Sequence, residues 1–357
     1  MINFTVGPVQ SGEEVRSIGS QQVPYFRTKE FSDMMFENEK MFLSLVNAGE
    51  ASRCVFLASS GTGAMEATIM NLLTDKDSAL VVNGGSFGDR FSQICKIHHV
   101  QSQIISPLPG YAFSYEDIRP YENSGLTAFV VNMHETSTGV LYDMDMISDF
   151  CKRNRLLLIV DCISSFLADP IDMARWGIDA IITASQKALA LPPGLAVVAL
   201  SKRAIERQAN TQKGCLYFDF ALYLKDGERG QTPFTPAVQQ LIQLHARLTE
   251  ITLAGGAKQE IARIASLAQY FRSHMRHYPF EMFSHSPSNA VTSILLKKGD
   301  AHTLFEIVKD EYGIWICPNG GDLASSVFRV GHIGALDTTD YDKLFIAFDD
   351  LKKRGIL

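Results

Sequence analysis

The feature of this sequence that most constrains its fold is a series of short apolar runs, most of them followed by a polar turn. Seven runs precede residue 201, at 54–57, 79–82, 103–105, 126–132, 156–160, 179–184 and 195–200. Helical patterns follow several of them, at 64–73, 89–98 and 144–153. Runs that are apolar throughout, rather than alternating, are typical of strands buried on both faces of a parallel sheet. The pattern therefore predicts an α/β fold in which helices cover both sides of a mostly parallel sheet.

Beyond about residue 200 the pattern changes. A long amphipathic helix is predicted over 236–254, and Gly255-Gly256 interrupts it. Strands are then predicted at 290–296, 314–317 and 327–330, and helices at 302–312 and 339–354. A chain of 357 residues is too long for one simple core. We therefore predict an N-terminal arm over 1–20, a large domain over 21–254 and a smaller C-terminal α+β domain over 255–357.

Composition and charge argue against several classes of partner. Hydrophobic residues make up 46% of the chain and charged residues 20%, and the net charge of -6 includes no basic block that would favour nucleic acid. The six cysteines are scattered, without a CxxC pair or a histidine cluster, which argues against zinc and against a disulfide framework. The chain begins with no signal-peptide pattern, and no apolar run approaches the ~20 residues of a membrane span. We therefore expect a cytoplasmic protein without a metal site.

One lysine stands out because of its place in the predicted sheet. Lys187 follows the run at 179–184 in a short polar turn, Ser185-Gln186-Lys187, and Pro192-Pro-Gly194 precedes the next run. A lysine held between two buried strands loses hydration, which disfavours the ammonium form and lowers the pKa. An amine that forms a Schiff base needs this lowered pKa. For a lone lysine the commoner interpretation is a loop residue beside a strand, so the interpretation of Lys187 depends on its neighbours.

Asp161 ends the run at 156–160, which is the most apolar run of the chain. Ligands of an open parallel sheet bind where the strands end, and a carboxylate at such a position requires a cationic partner. Asp161 is therefore either a helix cap or turn residue, or the partner of a pyridinium nitrogen. The second role would let pyridoxal phosphate act as an electron sink.

Three further segments have the same kind of double interpretation. Ser60-Gly-Thr-Gly63 follows a strand and opens a helix, so its backbone N–H groups suit a phosphate, although a plain strand-to-helix turn fits equally well. Phe87 lies in a Gly-rich turn at a strand end and either stacks on a planar ring or anchors the core. Arg329 is flanked by apolar residues and either binds a carboxylate or forms a structural ion pair.

Taken together, these residues resemble a known family. Val160-Asp-Cys-Ile-Ser-Ser165, Ser185-Gln-Lys-Ala-Leu189 and Pro192-Pro-Gly194 occur in order and are similar to motifs of the class V aminotransferases, pyridoxal-phosphate enzymes of the aspartate-aminotransferase fold. The likeness extends from Thr5 to Gly334 and is closest to the alanine/serine–glyoxylate and 2-aminoethylphosphonate–pyruvate branches. It implies fold type I, with a seven-stranded, mostly parallel sheet between helices and a smaller C-terminal α+β domain.

The resemblance also implies roles for individual residues. Lys187 would form the Schiff base with the cofactor, and Asp161 would pair with its pyridinium nitrogen. Further cofactor contacts would come from Ser60, Gly61 and Thr62 at the phosphate, Phe87 in place of the usual stacking Trp or Tyr, Thr136 or Ser137 near the phenolic oxygen, Gln186 beside the phosphate and ring, and Thr235 from the other subunit. Arg329 would bind the substrate carboxylate, and Gly7 would border the substrate pocket.

The function implied by the resemblance is transfer of an amino group from a small amino acid or 2-aminoethylphosphonate to glyoxylate or pyruvate. The same resemblance implies a homodimer with shared active sites. Two alternatives stay open: a lyase or cysteine desulfurase of the same fold, for which Cys317 would have to be essential, and a catalytically silent cofactor-binding regulatory protein. Phe87 and the segment Cys317-Pro-Asn-Gly-Gly321 are where the chain departs from the family pattern.

Overall fold

The computed structural model describes residues 1–211 and 214–357, and its central feature is a seven-stranded sheet. In chain order the strands are β1 (Ile2–Asn3), β2 (Arg53–Leu57), β3 (Ser78–Val82), β4 (Gln101–Ile105), β5 (Ala128–Asn132), β6 (His134–Glu135), β7 (Val140–Leu141), β8 (Leu157–Asp161), β9 (Ala180–Ala184), β10 (Ala196–Leu200), β11 (Phe280–Met282), β12 (Val291–Leu296), β13 (Ile314–Trp315), β14 (Cys317–Pro318) and β15 (Val327–Gly331). The central sheet has the order β2-β10-β9-β8-β5-β3-β4. Its neighbouring strands are parallel except where β10 pairs with β9 and β2, so the predicted mostly parallel sheet is confirmed.

Thirteen α-helices lie in the described residues, and several of them cover both faces of the central sheet. In chain order they are α1 (Glu13–Gly19), α2 (Lys29–Leu45), α3 (Gly61–Leu72), α4 (Ser86–Ile97), α5 (Tyr115–Ile118), α6 (Met144–Asn154), α7 (Met173–Trp176), α8 (Lys202–Ala209), α9 (Phe220–Gly227), α10 (Val238–Leu253), α11 (Gly256–Met275), α12 (Ala301–Tyr312) and α13 (Thr338–Lys353). Within the described residues, none of these helices is both long enough and apolar enough to cross a membrane.

Alternate residues of the central strands pack into two separate apolar clusters. In β5, Val131 joins the cluster that contains side chains of α2, α6 and α10. Its neighbour Val130 joins the cluster that contains side chains of α3, α4 and α9. Successive side chains of a strand point to opposite faces, so both faces of β5 are buried against helices. This explains why the runs are apolar throughout instead of alternating.

A second sheet and the N-terminal arm complete the architecture. The second sheet has the order β11-β12-β15-β14 with antiparallel pairing, and α11, α12 and α13 pack on it around a third apolar cluster. The arm pairs β1 with β13, and the N–H group of Gly331 donates to the carbonyl oxygen of Phe4 at 2.7 Å. The predicted boundary at 254–255 falls where α10 ends and α11 begins. The domain boundaries themselves stay a prediction.

Two helices begin earlier than the sequence pattern indicated. α3 begins at Gly61 and α4 at Ser86, in each case three residues before the predicted start. Glycine is a poor helix former, which is why the pattern placed these segments in turns. At Gly88 the glycine is required by packing, because a Cβ atom there would lie 2.5 Å from the carbonyl oxygen of Val82. The correction places Phe87 in the first turn of α4 rather than in a loop.

Candidate active site

Lys187 lies in the turn that follows β9, between two buried strands as the sequence indicated. Its side chain is buried, and Nζ donates a 2.5 Å hydrogen bond to the carbonyl oxygen of Val6. Burial lowers the pKa of this amine to about 8. Gly7 has φ of +129°, and a Cβ atom there would lie 2.7 Å from Cδ of Lys187. The N-terminal arm therefore lies directly against Lys187, at a position that only glycine fits.

Asp161 is the last residue of β8, and its carboxylate is buried beside the end of β9. Oδ1 accepts a 2.7 Å hydrogen bond from the N–H group of Ile163. Burial raises the pKa of Asp161 to about 7, and the nearby carboxylate of Glu135 also raises it. Among the described residues, no lysine or arginine forms an ion pair with Asp161. Within that part of the chain, the buried carboxylate is therefore without a cation of the protein in direct contact.

The N-terminus of α3 offers free hydrogen-bond donors. Ser60 is its N-cap, with Oγ accepting from the N–H group of Gly63 at 3.3 Å. The carbonyl oxygen of Ser60 accepts from the N–H group of Ala64 at 3.2 Å. The N–H groups of Gly61 and Thr62 have no partner in residues 1–211 and 214–357. Free N–H groups at a helix N-terminus are what a phosphate requires.

Phe87 and Arg90 lie one helical turn apart at the start of α4. The guanidinium carbon of Arg90 is 5.0 Å from the centre of the Phe87 ring, and Nη1 donates to Oγ1 of Thr62 at 3.0 Å. Arg90 thus joins the candidate stacking ring to the candidate phosphate turn. Arg90 was not predicted from the sequence, although its spacing of three residues from Phe87 would have placed both on one side of a helix.

The segment that contains Thr136 and Ser137 is also buried. Oγ1 of Thr136 donates to Oγ of Ser164 at 2.8 Å, and Nδ1 of His134 lies 2.9 Å from the same oxygen. Burial lowers the pKa of His134 to about 3, so its imidazole is neutral. Oγ of Ser137 donates to the carboxylate of Glu135. His134 and Ser164 were missed because only the fold brings these two strand ends together.

Arg329 lies in β15 with its guanidinium held by backbone oxygens. Nη1 donates to the carbonyl oxygen of Thr136 at 3.1 Å and Nη2 to that of Pro318 at 2.7 Å, while Nε is buried without a partner. Within the described part of the chain, no carboxylate forms an ion pair with Arg329. Cys317 pairs with Arg329 in the register of β14 and β15 and is half-buried. This arginine is therefore a buried cation without a protein anion.

The structure brings together most of the residues that the sequence indicated. The charges of Arg329, Asp161 and Arg90, together with Cys317, all act on the pKa of Lys187. Oε1 of Gln186 is buried without a hydrogen-bond partner. Thr235, by contrast, is exposed. Its contact with a second subunit stays a prediction.

A mostly parallel sheet with a buried lysine and a buried acid at the ends of neighbouring strands is the arrangement that a resemblance to fold type I enzymes implies. More narrowly, the chain belongs to the aminotransferase class-V family, whose model matches residues 20–331. The predicted family and the predicted enzyme class, a pyridoxal-phosphate-dependent aminotransferase, are therefore confirmed. The match favours this class over the catalytically silent alternative.

Similar proteins extend over nearly the whole chain. The small subunit of a soluble hydrogenase from Synechococcus sp. (strain PCC 6716) is 30% identical, with 94% of this chain and 88% of that protein covered. The serine–glyoxylate aminotransferase of Hyphomicrobium methylovorum is 28% identical, with 99% and 90% covered. The solved structure of a subgroup IV aspartate aminotransferase from Thermus thermophilus has a TM-score of 0.91 at 26% identity, with 100% of both chains covered. The predicted aminotransferase fold is confirmed.

Proposed function

We propose that this aminotransferase moves an amino group from a small amino acid, or from 2-aminoethylphosphonate, to glyoxylate or pyruvate, with pyridoxal 5′-phosphate as its cofactor. The observation that carries the proposal is a buried amine, Lys187, whose pKa is lowered first by burial and also by the charge of Arg329. Arg329 is itself buried and forms no ion pair with a carboxylate in the described chain. A cofactor aldehyde requires the amine, and a substrate carboxylate requires the arginine. The serine–glyoxylate relative supports glyoxylate as acceptor.

The donors and acceptors of the site fit pyridoxal phosphate. The free N–H groups at the start of α3 suit its phosphate, and the unpaired carboxylate of Asp161 suits its ring nitrogen. The unsatisfied Oε1 of Gln186 shows that this side chain has hydrogen-bonding capacity to spare. We therefore assign the cofactor contacts to Ser60, Gly61, Thr62, Phe87, Thr136, Ser137, Asp161, Gln186 and Lys187.

Pyridoxal phosphate, when bound, supplies an electron sink that weakens a bond at the substrate Cα. The chain supplies the proton transfer, which we assign to Nζ of Lys187. A pKa of about 8 allows Nζ to lose and regain a proton near neutral pH, as a general base and acid must. Asp161 would pair with the protonated ring nitrogen, because a cation beside its carboxylate favours the ionised acid.

Arg329 orients the substrate. Two backbone carbonyl oxygens fix its guanidinium plane, so the arginine is organised before any substrate binds. A carboxylate that accepts two parallel hydrogen bonds from this group is fixed in position and in rotation. A substrate held in this way would present the same bond at Cα to the cofactor in every turnover. Gly7 lies against the side chain of Lys187.

A homodimer with shared active sites is part of the proposal. Thr235 is exposed in the polar segment before α10, and its neighbour Phe234 stacks on Tyr217 with ring centres 5.4 Å apart. An exposed hydroxyl on a segment fixed by this packing is suited to reach the phosphate of a partner subunit. The cytoplasmic location expected from the sequence stays a prediction.

The half-reaction with an amino donor tests the proposed function. Protein loaded with pyridoxal phosphate is mixed with alanine, serine or 2-aminoethylphosphonate in the absence of an acceptor. The visible absorption band of the cofactor should disappear with at least one donor and return when glyoxylate or pyruvate is added. A band that responds to none of these donors would contradict the proposal.

A lyase or desulfurase activity is the second candidate. Cys317 pairs with Arg329 across β14 and β15, and it is among the groups that affect the pKa of Lys187. The distinction rests on a Cys317→Ser variant. If the chain is an aminotransferase, this variant should transfer amino groups and release no sulfide from cysteine, like the wild type. Sulfide release by the wild type that is lost in the variant would favour the desulfurase.

A further inference from the structure

Two helices, α3 and α4, begin beside the candidate cofactor site, and their N-termini differ. In α3 the first two N–H groups, those of Gly61 and Thr62, are free among the described residues. In α4 the corresponding N–H groups all have partners. The N–H group of Ser86 donates to Oγ of Ser137 at 3.3 Å, and that of Asp89 donates to the carbonyl oxygen of Gly85 at 2.9 Å.

Glu135 accounts for the other two N–H groups of α4. Its Oε1 accepts from the N–H group of Phe87 at 3.4 Å, and its Oε2 accepts from that of Gly88 at 2.9 Å. Helix N-termini carry a partial positive charge, which the full negative charge of a carboxylate neutralises. The N-terminus of α4 is therefore already occupied by an anion that belongs to the chain itself.

The remaining contacts of Glu135 keep it in this position. The residue is completely buried, and its carboxylate also accepts from Nδ2 of Asn132 at 2.8 Å and from the N–H group of Ser137 at 3.2 Å. The hydroxyl of Ser137 donates to it as well. All of these partners are donors, which matches an ionised carboxylate because that group can only accept. No lysine or arginine in the described chain forms an ion pair with Glu135.

We propose that Glu135 is a positioning residue that closes the N-terminus of α4 to anions and so directs the cofactor phosphate to α3. The same contacts fix the backbone of Phe87, whose ring then meets the cofactor in one orientation. Without Glu135, two adjacent helix N-termini would compete for one phosphate. The inference rests on the proposed use of pyridoxal phosphate and explains how one of two similar helix ends is selected.

The test compares Glu135→Gln and Glu135→Asp with the wild type. A carboxamide has the shape of the carboxylate but offers only one accepting oxygen, so at least one N–H group of α4 becomes free and the charge is lost. Aspartate keeps the charge and should preserve the selection in part. Asp169→Asn is the matched control, because Asp169 is also buried and accepts from the N–H group of Asn289 at 3.0 Å, away from α4.

Two measurements are made on protein that is shown to be folded. Calorimetric titration of cofactor-free protein with inorganic phosphate should give one site per chain in the wild type and in Asp169→Asn. Glu135→Gln should show a second site, or binding tighter by about three- to tenfold, as expected from a charge at a helix N-terminus. The visible circular dichroism of each bound pyridoxal phosphate should fall at least twofold in Glu135→Gln and recover in part in Glu135→Asp.

The outcomes separate the inference from the proposed function. A folded Glu135→Gln protein with wild-type phosphate binding and wild-type circular dichroism would show that Glu135 is structural only. If Glu135→Gln does not fold, Glu135→Asp takes its place: the shorter carboxylate cannot keep every contact with the N–H groups of α4, so phosphate should bind more tightly than in the wild type, and unchanged phosphate binding would overturn the inference. A wild type without any cofactor band overturns the proposed function, whereas the phosphate titration still decides whether Glu135 excludes anions from α4.

Discussion

Lys187 and Asp161 show how burial sets the chemistry of single residues in this enzyme. Burial lowers the pKa of the amine to about 8 and raises that of the acid to about 7, because in each case the charged form loses hydration. In the cofactor-free protein both groups can therefore change protonation near neutral pH, and perturbed pKa values of this kind are typical of functional sites. The guanidinium of Arg329 is buried as well, and it donates hydrogen bonds to two backbone carbonyl oxygens.

The raised pKa of Asp161 predicts a pH dependence of stability in the cofactor-free protein. The folded state holds a proton up to about pH 7, whereas an unfolded chain releases it near the ordinary value of 3.8. Between these values the folded state binds more protons, so the free energy of unfolding falls as pH rises, by up to about 1.4 kcal/mol per pH unit. Urea titrations of the wild type should show this decline relative to Asp161→Asn. Parallel pH profiles for the two proteins would contradict it.

Arg329 should matter for carboxylate substrates and little for the cofactor. Arg329→Ala should weaken the binding of alanine and of pyruvate by about 2–5 kcal/mol, since it leaves the substrate carboxylate unpaired in the site. Arg329→Lys should recover only part of this, because lysine keeps the charge but loses the planar pair of donors. The measurement is a titration followed by the cofactor spectrum. Loss of cofactor with unchanged carboxylate affinity would make Arg329 a structural residue, and equal weakening of 2-aminoethylphosphonate would make it a general anion site.

At the scale of elements, the strands of the central sheet were predictable, whereas the starts of α3 and α4 were not. The runs at 79–82 and 156–160 are apolar on both faces, and no other element explains that pattern as well as a buried parallel strand. The start of α4 was missed because Gly88 serves packing against β3 rather than helix propensity. Partners such as Arg90 and Thr62 lie on different helices, so their contact depends on how α3 and α4 are placed. A single sequence does not contain that placement.

The N-terminal arm provides a test at this scale. Gly7→Ala should displace Lys187, because the added Cβ atom would meet its side chain and because φ at this position strains any other residue. Strain of this kind costs about 1–3 kcal/mol, so the turnover rate should fall about tenfold while the fold persists. Gly12→Ala is the matched control, since nothing lies within 4 Å of a Cβ atom there. Equal rates in the two variants would show that the arm does not position Lys187.

For the whole molecule, the central sheet, the second sheet and the arm each contribute residues to one candidate site. Lys187 and Asp161 come from the ends of β9 and β8, Arg329 from β15, and Gly7 from the arm. The sequence identified these residues through family motifs and through their position at strand ends. It could not show that no carboxylate of residues 1–211 and 214–357 pairs with Arg329, because that depends on every neighbouring element at once.

We expect the whole molecule to act as a homodimer. Sedimentation should give a mass about twice that of one chain. Thr235→Ala should weaken the binding of pyridoxal phosphate by about 1 kcal/mol, the usual net contribution of one hydrogen bond. Mixing Thr235→Ala with Lys187→Ala should restore sites in which each subunit contributes one intact residue. A fully active monomer would contradict the shared site.

The central claim is that Lys187 forms a Schiff base with the cofactor. Chemical reduction of that bond, followed by mass spectrometry, tests the claim most directly. The protein is loaded with pyridoxal phosphate, treated with borohydride and digested, and the modified peptide is identified. We predict one pyridoxyl group, on the peptide that contains Lys187, and none on a folded Lys187→Ala protein, which should also have lost turnover. A modification on another lysine, or normal amino-group transfer by Lys187→Ala, would contradict this account.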